Sequence, residues 1–245
     1  MSESIRDTLR RLGSAQKGRA RGAPAYSVYV NRPVGRVLAA LAYRIGLTPN
    51  QVTIVSAVFT FAAIALIALA PISWPVGILI WLLLALGYAW DSADGQVARL
   101  RGGGSLAGEW LDHFVDALKI SSLHLAVLIA LSRVEGLADA WLLVPMGFTI
   151  VANTTFFAMI LNDLLKGKRG IVSAHSSGGS SPLRSLLLLP TDYGVLLLAF
   201  LVWGWTPVFL VVYTLLFAAA AAFLVLAAAK WFIDMKRIDR EVAAP

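Results

Sequence analysis

Cysteine is absent from the sequence, and charged residues are scarce. Without cysteine the chain can form no disulfide, no thiolate nucleophile and no cysteine-ligated metal site. Charged residues make up 14% of the 245 residues and hydrophobic residues 58%, whereas soluble domains carry about 25% charged residues. So little charge cannot cover a water-facing surface. The composition therefore excludes soluble multi-domain proteins and predicts one membrane domain.

Long apolar runs divide the chain into membrane-spanning segments, since about 18 apolar residues are enough to cross a bilayer. We predict an all-α integral membrane protein with six transmembrane helices, covering residues 53–70, 74–92, 106–131, 139–162, 184–203 and 207–232. Residues 33–46 are too short to span and contain two arginines, which favours an interfacial amphipathic helix. Thr48 or Asn50 is the candidate N-cap of the first span.

The two ends of the chain differ from its apolar centre. Residues 1–30 are basic and contain no apolar stretch, so we predict an arm with little structure of its own rather than a cleavable signal peptide. Residues 31–235 are predicted to form the membrane domain, and residues 236–245 a C-terminal tail. No internal repeat is visible, so the inverted-repeat plan of many transporters receives no support.

Basic residues are concentrated in alternate loops. Nine of the 21 Lys and Arg residues precede the first predicted span, and Arg133 is the only one in the loops of the opposite side. The positive-inside rule then predicts that both termini lie on the cytoplasmic side of the inner (cytoplasmic) membrane. Topology explains the net charge of +7, so no nucleic-acid partner is predicted.

Five of the 14 acidic residues fall within residues 91–116, between two apolar runs. Asp91 and Asp94 are three residues apart at the end of the second span and share one helix face, as do Asp112 and Asp116, four apart in the third. The intervening Gly-Gly-Gly-Ser turn lets the two faces converge. Four close carboxylates need a cation among them, and oxygen ligands favour Mg²⁺, Mn²⁺ or Ca²⁺ over zinc.

The same segment carries an arginine and several small residues. Arg99 lies five residues after Asp94, and a guanidinium beside metal-held carboxylates is suited to a phosphate. Gly95, Ala98 and Gly108 permit close approach of a ligand or a helix. Together these residues predict a ligand that bears phosphate, and their place at a membrane edge predicts that part of this ligand is lipid.

The pattern D-x-x-D-G-x-x-A-R, eight residues, then G-x-x-x-D-x-x-x-D resembles the signature of the CDP-alcohol phosphotransferase family. All eight fixed positions are present with the family spacing: Asp91, Asp94, Gly95, Ala98, Arg99, Gly108, Asp112 and Asp116. The six-helix layout and the TPN element at residues 48–50 extend the resemblance weakly over residues 33–235.

The resemblance implies transfer of a substituted phosphoryl group from a CDP-linked donor to an acceptor hydroxyl, with release of CMP, in phospholipid synthesis. It implies two divalent cations, Mg²⁺ or Mn²⁺, held by the four aspartates, with Asp116 as the general base. It also implies a set of nucleotide-binding residues: Asp91, Gly95, Ala98, Arg99, Gly108 and Asp112. Membrane lipids are the expected surroundings. The resemblance also implies a homodimer, and the alanine-rich last helix would allow close packing.

A second resemblance leaves the donor open. Glu109 and His113 are similar to a Glu-x-x-x-His pair in the choline/ethanolamine branch, where the histidine is a candidate base. The alternatives are CDP-diacylglycerol with a polar alcohol, which we favour, and a small CDP-alcohol with a lipid alcohol. An ion-coupled transporter is the alternative outside enzymes, although the acids cluster at one membrane face. A catalytically dead scaffold is disfavoured by the complete motif.

The acceptor is not specified by the sequence. Four basic residues of the loop between the fourth and fifth spans are either topology signals or ligands of a phosphorylated acceptor, namely Lys166, Lys168, Arg169 and Arg184. Asp192, alone in an apolar segment, either accepts hydrogen bonds from nearby backbone or lines the acceptor pocket. Lys119 either pairs with Asp116 or extends to the membrane interface.

Overall fold

The computed structural model describes residues 5–14, 25–171 and 191–243, and these are built from helices and their connections. The α-helices are α1 (Ile5–Ser14), α2 (Arg32–Arg44), α3 (Pro49–Leu69), α4 (Trp74–Leu100), α5 (Leu106–Leu131), α6 (Leu143–Lys168), α7 (Tyr193–Ala199) and α8 (Thr206–Ala243). A π-helical turn at Ser27–Asn31 leads into α2, and 3₁₀ turns at Asp139–Leu142 and Phe200–Val202 precede α6 and follow α7.

Five of the described helices are long and apolar enough to cross a membrane, and they correspond to α3, α4, α5, α6 and α8. The predicted span at 184–203 is described only from residue 191, where Tyr193–Val202 forms a shorter apolar helical segment. The predicted fold class, an all-α multi-pass membrane protein, is confirmed. The interfacial helix predicted at 33–46 corresponds to α2.

Two helix boundaries show how local sequence positions the acidic segment. Thr48 caps α3 in a capping box with Gln51, and Pro49 follows it in the first turn, where its missing N–H costs nothing. Helix α4 continues to Leu100, eight residues beyond the predicted end at 92, so the D-x-x-D-G-x-x-A-R segment lies on unbroken helix. The chain then turns at Gly102, whose φ of +95° disfavours other residues.

The centre of the fold is α4, which packs against both α2 and α3, while α5 packs on α3 and α6. Small residues set these distances. A Cβ on Gly35 would lie 2.8 Å from the Ser92 hydroxyl, and a Cβ on Gly87 would lie 2.3 Å from that of Thr60. The close approach of α2 and α3 to α4 brings polar groups of three helices to one end of the bundle.

Part of the basic N-terminal arm is helical. Helix α1 packs on α2 and on the end of α4, and Leu12 is buried there. The Arg11 guanidinium donates to the Leu100 carbonyl at 3.1 Å and lies over the Tyr43 ring. This described part of the arm is therefore docked on the last turn of the helix that carries Asp91.

Candidate active site

Carboxylates from α4 and α5 meet at the bundle end where the glycine turn joins these helices. Asp91, Asp112 and Asp116 are half-buried, and each offers an oxygen within 4.8 Å of those of the other two. Asp112 and Asp116 are four residues apart and share one face of α5, and Asp91 lies on the surface of α4 that faces them. The sequence prediction that the two acidic faces converge therefore agrees with the arrangement of these three residues.

Asp94 lies beside this group and is held by its own partners. Thr53 Oγ1 on α3 donates to Asp94 Oδ2 at 2.8 Å, and the Gly95 backbone N–H contacts the other oxygen. Asp94, a predicted metal ligand, is thus held by a hydroxyl that α3 supplies and is not one of the three carboxylates whose oxygens meet within 4.8 Å.

A lysine and a serine complete the polar cluster. The Lys119 ammonium, on α5, lies 2.5 Å from Asp91 Oδ1 and 3.2 Å from Asp116 Oδ1. It also donates to Ser56 Oγ at 3.1 Å, and Ser56 in turn donates to the Gly87 carbonyl of α4 at 2.9 Å. Lys119 therefore pairs with Asp116, as the first of its two predicted alternatives has it, and with Asp91 of α4 as well.

The small residues among the predicted nucleotide-binding positions lie on α4 and in the first turn of α5. A Cβ built on Gly95 would meet only the Arg99 Nη1, at 3.7 Å, and a Cβ on Gly108 would lie 3.1 Å from Asn50 Oδ1. Arg99 is half-buried near Arg32, and its Nε is buried without a hydrogen-bond partner among the described residues. Ala98 lies half-buried on the preceding position of α4. An anionic group could enter beside Gly95 and meet this guanidinium.

The alternative base pair is farther from the cluster. His113 Nδ1 is 3.9 Å from Asp112 Oδ2, and its ring faces Phe156 edge-on with centroids 6.3 Å apart. Glu109 is exposed one turn earlier on α5. His113 therefore borders the carboxylates from the side of α6, whereas Glu109 faces outward.

The candidate acceptor residues are dispersed. Lys166 pairs with Asp234 of α8 at 3.5 Å, Lys168 and Arg169 are exposed, and Arg184 lies outside the described residues. The buried Asp192 carboxylate caps α7 by accepting from the Gly194 N–H at 2.9 Å.

The second oxygen of the Asp192 carboxylate also accepts hydrogen bonds from backbone. It accepts from the N–H groups of Tyr26 and Ser27 at 2.9 and 3.3 Å, so Asp192 joins α7 to the segment that leads into α2. The sequence left two alternatives for Asp192, hydrogen bonds from backbone or a place in the acceptor pocket, and the structure shows the backbone hydrogen bonds.

Sequence reasoning missed the hydroxyl groups of α3. Thr53, Ser56 and Thr60 are buried at three-residue and four-residue spacings on an otherwise apolar helix. Such a polar stripe on one face of a membrane helix indicates hydrogen bonding to a neighbouring helix. This spacing is visible in the sequence and could have predicted the role of these hydroxyl groups. Thr53 and Ser56 contact Asp94 and Asp91, respectively.

The donor set fits a hard divalent cation. The candidate ligands are carboxylate oxygens on two rigid helices, supported by hydroxyl groups of a third, and the chain has no cysteine. Oxygen ligands of this kind suit Mg²⁺, Mn²⁺ or Ca²⁺, and supporting hydrogen bonds orient them.

Comparison with known proteins found a matching family model and relatives. The family model of CDP-alcohol phosphatidyltransferase matches residues 46–233. A phosphatidylinositol phosphate synthase of Corynebacterium glutamicum is 39% identical over 92 residues, which are 37% of this chain and 39% of that protein. The alignment thus spans about two fifths of that relative's length.

Solved structures of a phosphatidylinositol phosphate synthase from Mycobacterium tuberculosis share the fold. The one with CDP-DAG bound superposes with a TM-score of 0.56 and 20% identity, over 83% of this chain and 94% of that one. The one in complex with manganese and citrate gives 0.52 and 22%, over 83% and 89%. Because the family model covers most of the sequence, including the whole acidic motif, the chain belongs to the CDP-alcohol phosphatidyltransferase family.

Proposed function

We propose that this protein is a membrane-embedded, metal-dependent transferase that moves a phosphatidyl group from CDP-diacylglycerol to an acceptor hydroxyl and releases CMP. The observation that carries the proposal is the meeting of Asp91 with Asp112 and Asp116 across two helices. Family membership supports the reaction class. The CDP-DAG in the solved structure of similar fold supports the choice of donor.

Four aspartates are the proposed metal ligands: Asp91, Asp94, Asp112 and Asp116. Two bound Mg²⁺ or Mn²⁺ ions would neutralise the pyrophosphate and stabilise the charge that develops during transfer. The manganese complex of the similar structure supports a divalent ion here. Thr53 and Ser56 would keep Asp94 and Asp91 in position, because each hydroxyl reaches one carboxylate oxygen.

The reaction displaces CMP from the donor. The acceptor hydroxyl oxygen bonds to the phosphorus next to diacylglycerol, and the bond from that phosphorus to the CMP oxygen breaks. Asp116 is the proposed general base, which takes the hydroxyl proton on a carboxylate oxygen. His113, 3.9 Å from Asp112, and its neighbour Glu109 are the alternative base pair.

The nucleotide is proposed to lie beside α4. Gly95, Ala98 and Gly108 are small, and the Arg99 guanidinium, whose Nη1 lies nearest to Gly95, would donate to a phosphate oxygen. Asp91 and Asp112 border the same space. Since the site is at one end of the bundle, a lipid chain can approach from the bilayer and a polar acceptor from water.

We further propose that the acceptor is a phosphorylated alcohol of the inositol phosphate kind. The similar Corynebacterium protein is a phosphatidylinositol phosphate synthase. The exposed Lys168 and Arg169 lie at the C-terminal end of α6, on the same side of the bundle as the turn between α4 and α5. Lys166 and Arg184 are the other candidate contacts. Asp192 is a weaker candidate because backbone donors surround its carboxylate.

The remaining organisation is proposed from the sequence. Residues 31–235 would form the catalytic domain, with the arm at 1–30 and the tail at 236–245 outside it. The abundance of Lys and Arg near the acidic end supports a cytoplasmic position of this end at the inner membrane. A homodimer is proposed on the basis of the alanine-rich α8, and mass measurement in detergent would test it.

Release of CMP tests the function directly. The purified protein in detergent with lipid would receive Mn²⁺, CDP-diacylglycerol and one acceptor at a time: inositol phosphate, glycerol phosphate, serine or inositol. We expect CMP release that requires both metal and acceptor and is fastest with inositol phosphate. CDP-choline with diacylglycerol is the control for the alternative donor. A folded preparation that releases no CMP with any pair would overturn the proposal.

A further inference from the structure

Lys119 occupies the space between the proposed metal ligands. Its ammonium has three oxygen partners at 2.5–3.2 Å: Asp91 Oδ1, Asp116 Oδ1 and Ser56 Oγ. Its side chain is only 8% exposed. A lysine on a membrane helix usually extends its charge toward water, whereas this one, midway along α5, directs it into the acidic cluster.

Helix geometry fixes this direction. Lys119 follows Asp116 by three residues on α5, so the two side chains share a face. That face is turned toward α4, which supplies Asp91, and toward α3, which supplies Ser56. The ammonium thus cross-links the three helices that build the site.

A cation is needed here before any metal binds. Several carboxylates at close range repel one another, and leaving them partly buried without a counter-charge is costly. Lys119 supplies that charge to Asp91 and Asp116. Once a divalent ion uses the same two carboxylates, however, an ammonium a few ångströms away would be repelled by it and would have lost its partners.

We propose that Lys119 is an internal placeholder cation, which holds Asp91 and Asp116 together in the metal-free protein and is displaced from them when a divalent ion binds. The inference rests on the proposed function only in taking these aspartates as metal ligands. It makes Lys119 a positioning residue that lowers the apparent metal affinity while stabilising the empty site.

The test is metal binding by Lys119→Met, which removes the charge and keeps an unbranched side chain that is one atom shorter. Binding of Mn²⁺ would be followed by the electron paramagnetic resonance signal of the free ion. Thermal unfolding in EDTA would be measured beside it. We expect a lower unfolding temperature in EDTA. We also expect the apparent Kd for Mn²⁺ to fall by roughly tenfold, which is the factor if Lys119 leaves the wild-type carboxylates available to the ion about one tenth of the time.

Two further variants keep the test decisive. Lys119→Gln, which is uncharged but keeps a hydrogen-bond donor, replaces Lys119→Met if the latter fails to fold, and its Kd for Mn²⁺ should also fall. Lys230→Met is the matched control, because Lys230 pairs with Asp234 at 2.7 Å on the exposed side of α8. This control should leave the Kd unchanged.

The outcomes separate this inference from the proposed function. An unchanged or higher Kd in both Lys119 variants, with normal binding by the wild type, would overturn the placeholder role alone. Absence of Mn²⁺ binding in the wild type and in both variants would overturn the metal site itself, and with it the proposed function.

Discussion

Helix α5 buries two basic side chains five residues apart, and their surroundings differ. Lys119 lies among carboxylates from its own helix and from α4. His124 stacks on Phe148 with ring centroids 4.0 Å apart, and its Nδ1 is 2.6 Å from the Tyr213 hydroxyl. One environment is rich in charge, whereas the other joins aromatic rings of α5, α6 and α8.

The difference separates chemistry from packing within one bundle. The aromatic cluster satisfies its polar atoms internally, because the histidine and the tyrosine form a buried hydrogen bond. The acidic cluster keeps more carboxylates than Lys119 can pair, which is unfavourable in a packed core unless a further cation completes it. Removing groups from the first cluster should therefore lower stability, and removing groups from the second should lower metal binding and turnover.

The largest effect is expected for Asp116→Asn. The amide cannot accept the proton of the acceptor hydroxyl and is a poorer metal ligand, so CMP release should fall by about 10²–10⁴-fold, the range for a lost general base. Initial rates with CDP-diacylglycerol and the preferred acceptor would measure it. Asp139→Asn, in the exposed 3₁₀ turn before α6, is the matched control. Equal rates in the two variants would remove Asp116 from the mechanism.

A smaller effect is expected for Thr53→Val. The substitution keeps the shape of the side chain and removes the hydroxyl that donates to Asp94 at 2.8 Å. Loss of such a supporting contact typically weakens metal affinity by about 10–100-fold, which a Mn²⁺ titration would detect. Thr149→Val is the control, because the Thr149 hydroxyl donates to the Pro145 carbonyl of its own helix. If both variants bind Mn²⁺ with the affinity of the wild type, the Thr53 hydroxyl does not support metal binding through Asp94.

For the aromatic cluster, Tyr213→Phe should change stability rather than turnover. The change leaves the buried His124 Nδ1 without its partner, which costs about 1–3 kcal/mol of unfolding free energy. Denaturant unfolding in detergent would measure the cost, and CMP release per folded molecule should stay at the wild-type level. A loss of turnover without a loss of stability would assign this cluster to the active site.

The smallest effect is expected for Lys230→Ala, which breaks an exposed lysine–aspartate pair. Lys230 is 66% exposed and contacts Asp234 from one helical turn away. Exposed pairs contribute under about 1 kcal/mol, so the unfolding temperature should hardly move. A drop as large as that of Tyr213→Phe would show that burial does not separate the two kinds of contact.

Local spacing predicted much of the site. The positions of Asp91, Asp112 and Asp116 within their helices were enough to place them on facing surfaces, because only a short turn joins α4 to α5. The capping residue Thr48 and the all-helical fold followed from equally local signals. Features that depend on one or two turns of a helix, such as its cap and the face on which a side chain lies, could therefore be predicted from the sequence.

Partners distant in sequence could not be predicted. The pairing of Lys119 with Asp91 depends on how α5 rotates against α4, and the contact of His124 with Tyr213 crosses 89 residues. The position of Asp192 against Tyr26 likewise joins segments 166 residues apart. Such contacts depend on packing angles set by many small residues at once, of which Gly35 and Gly87 are two.

The most direct test of the account is the position of manganese in a crystal of this protein, located by its anomalous scattering. We expect density for the ion between α4 and α5, bonded to oxygens of Asp91, Asp112 and Asp116, with the Lys119 ammonium moved away from Asp91. Manganese bound elsewhere, with the carboxylates still gathered around Lys119, would contradict the account.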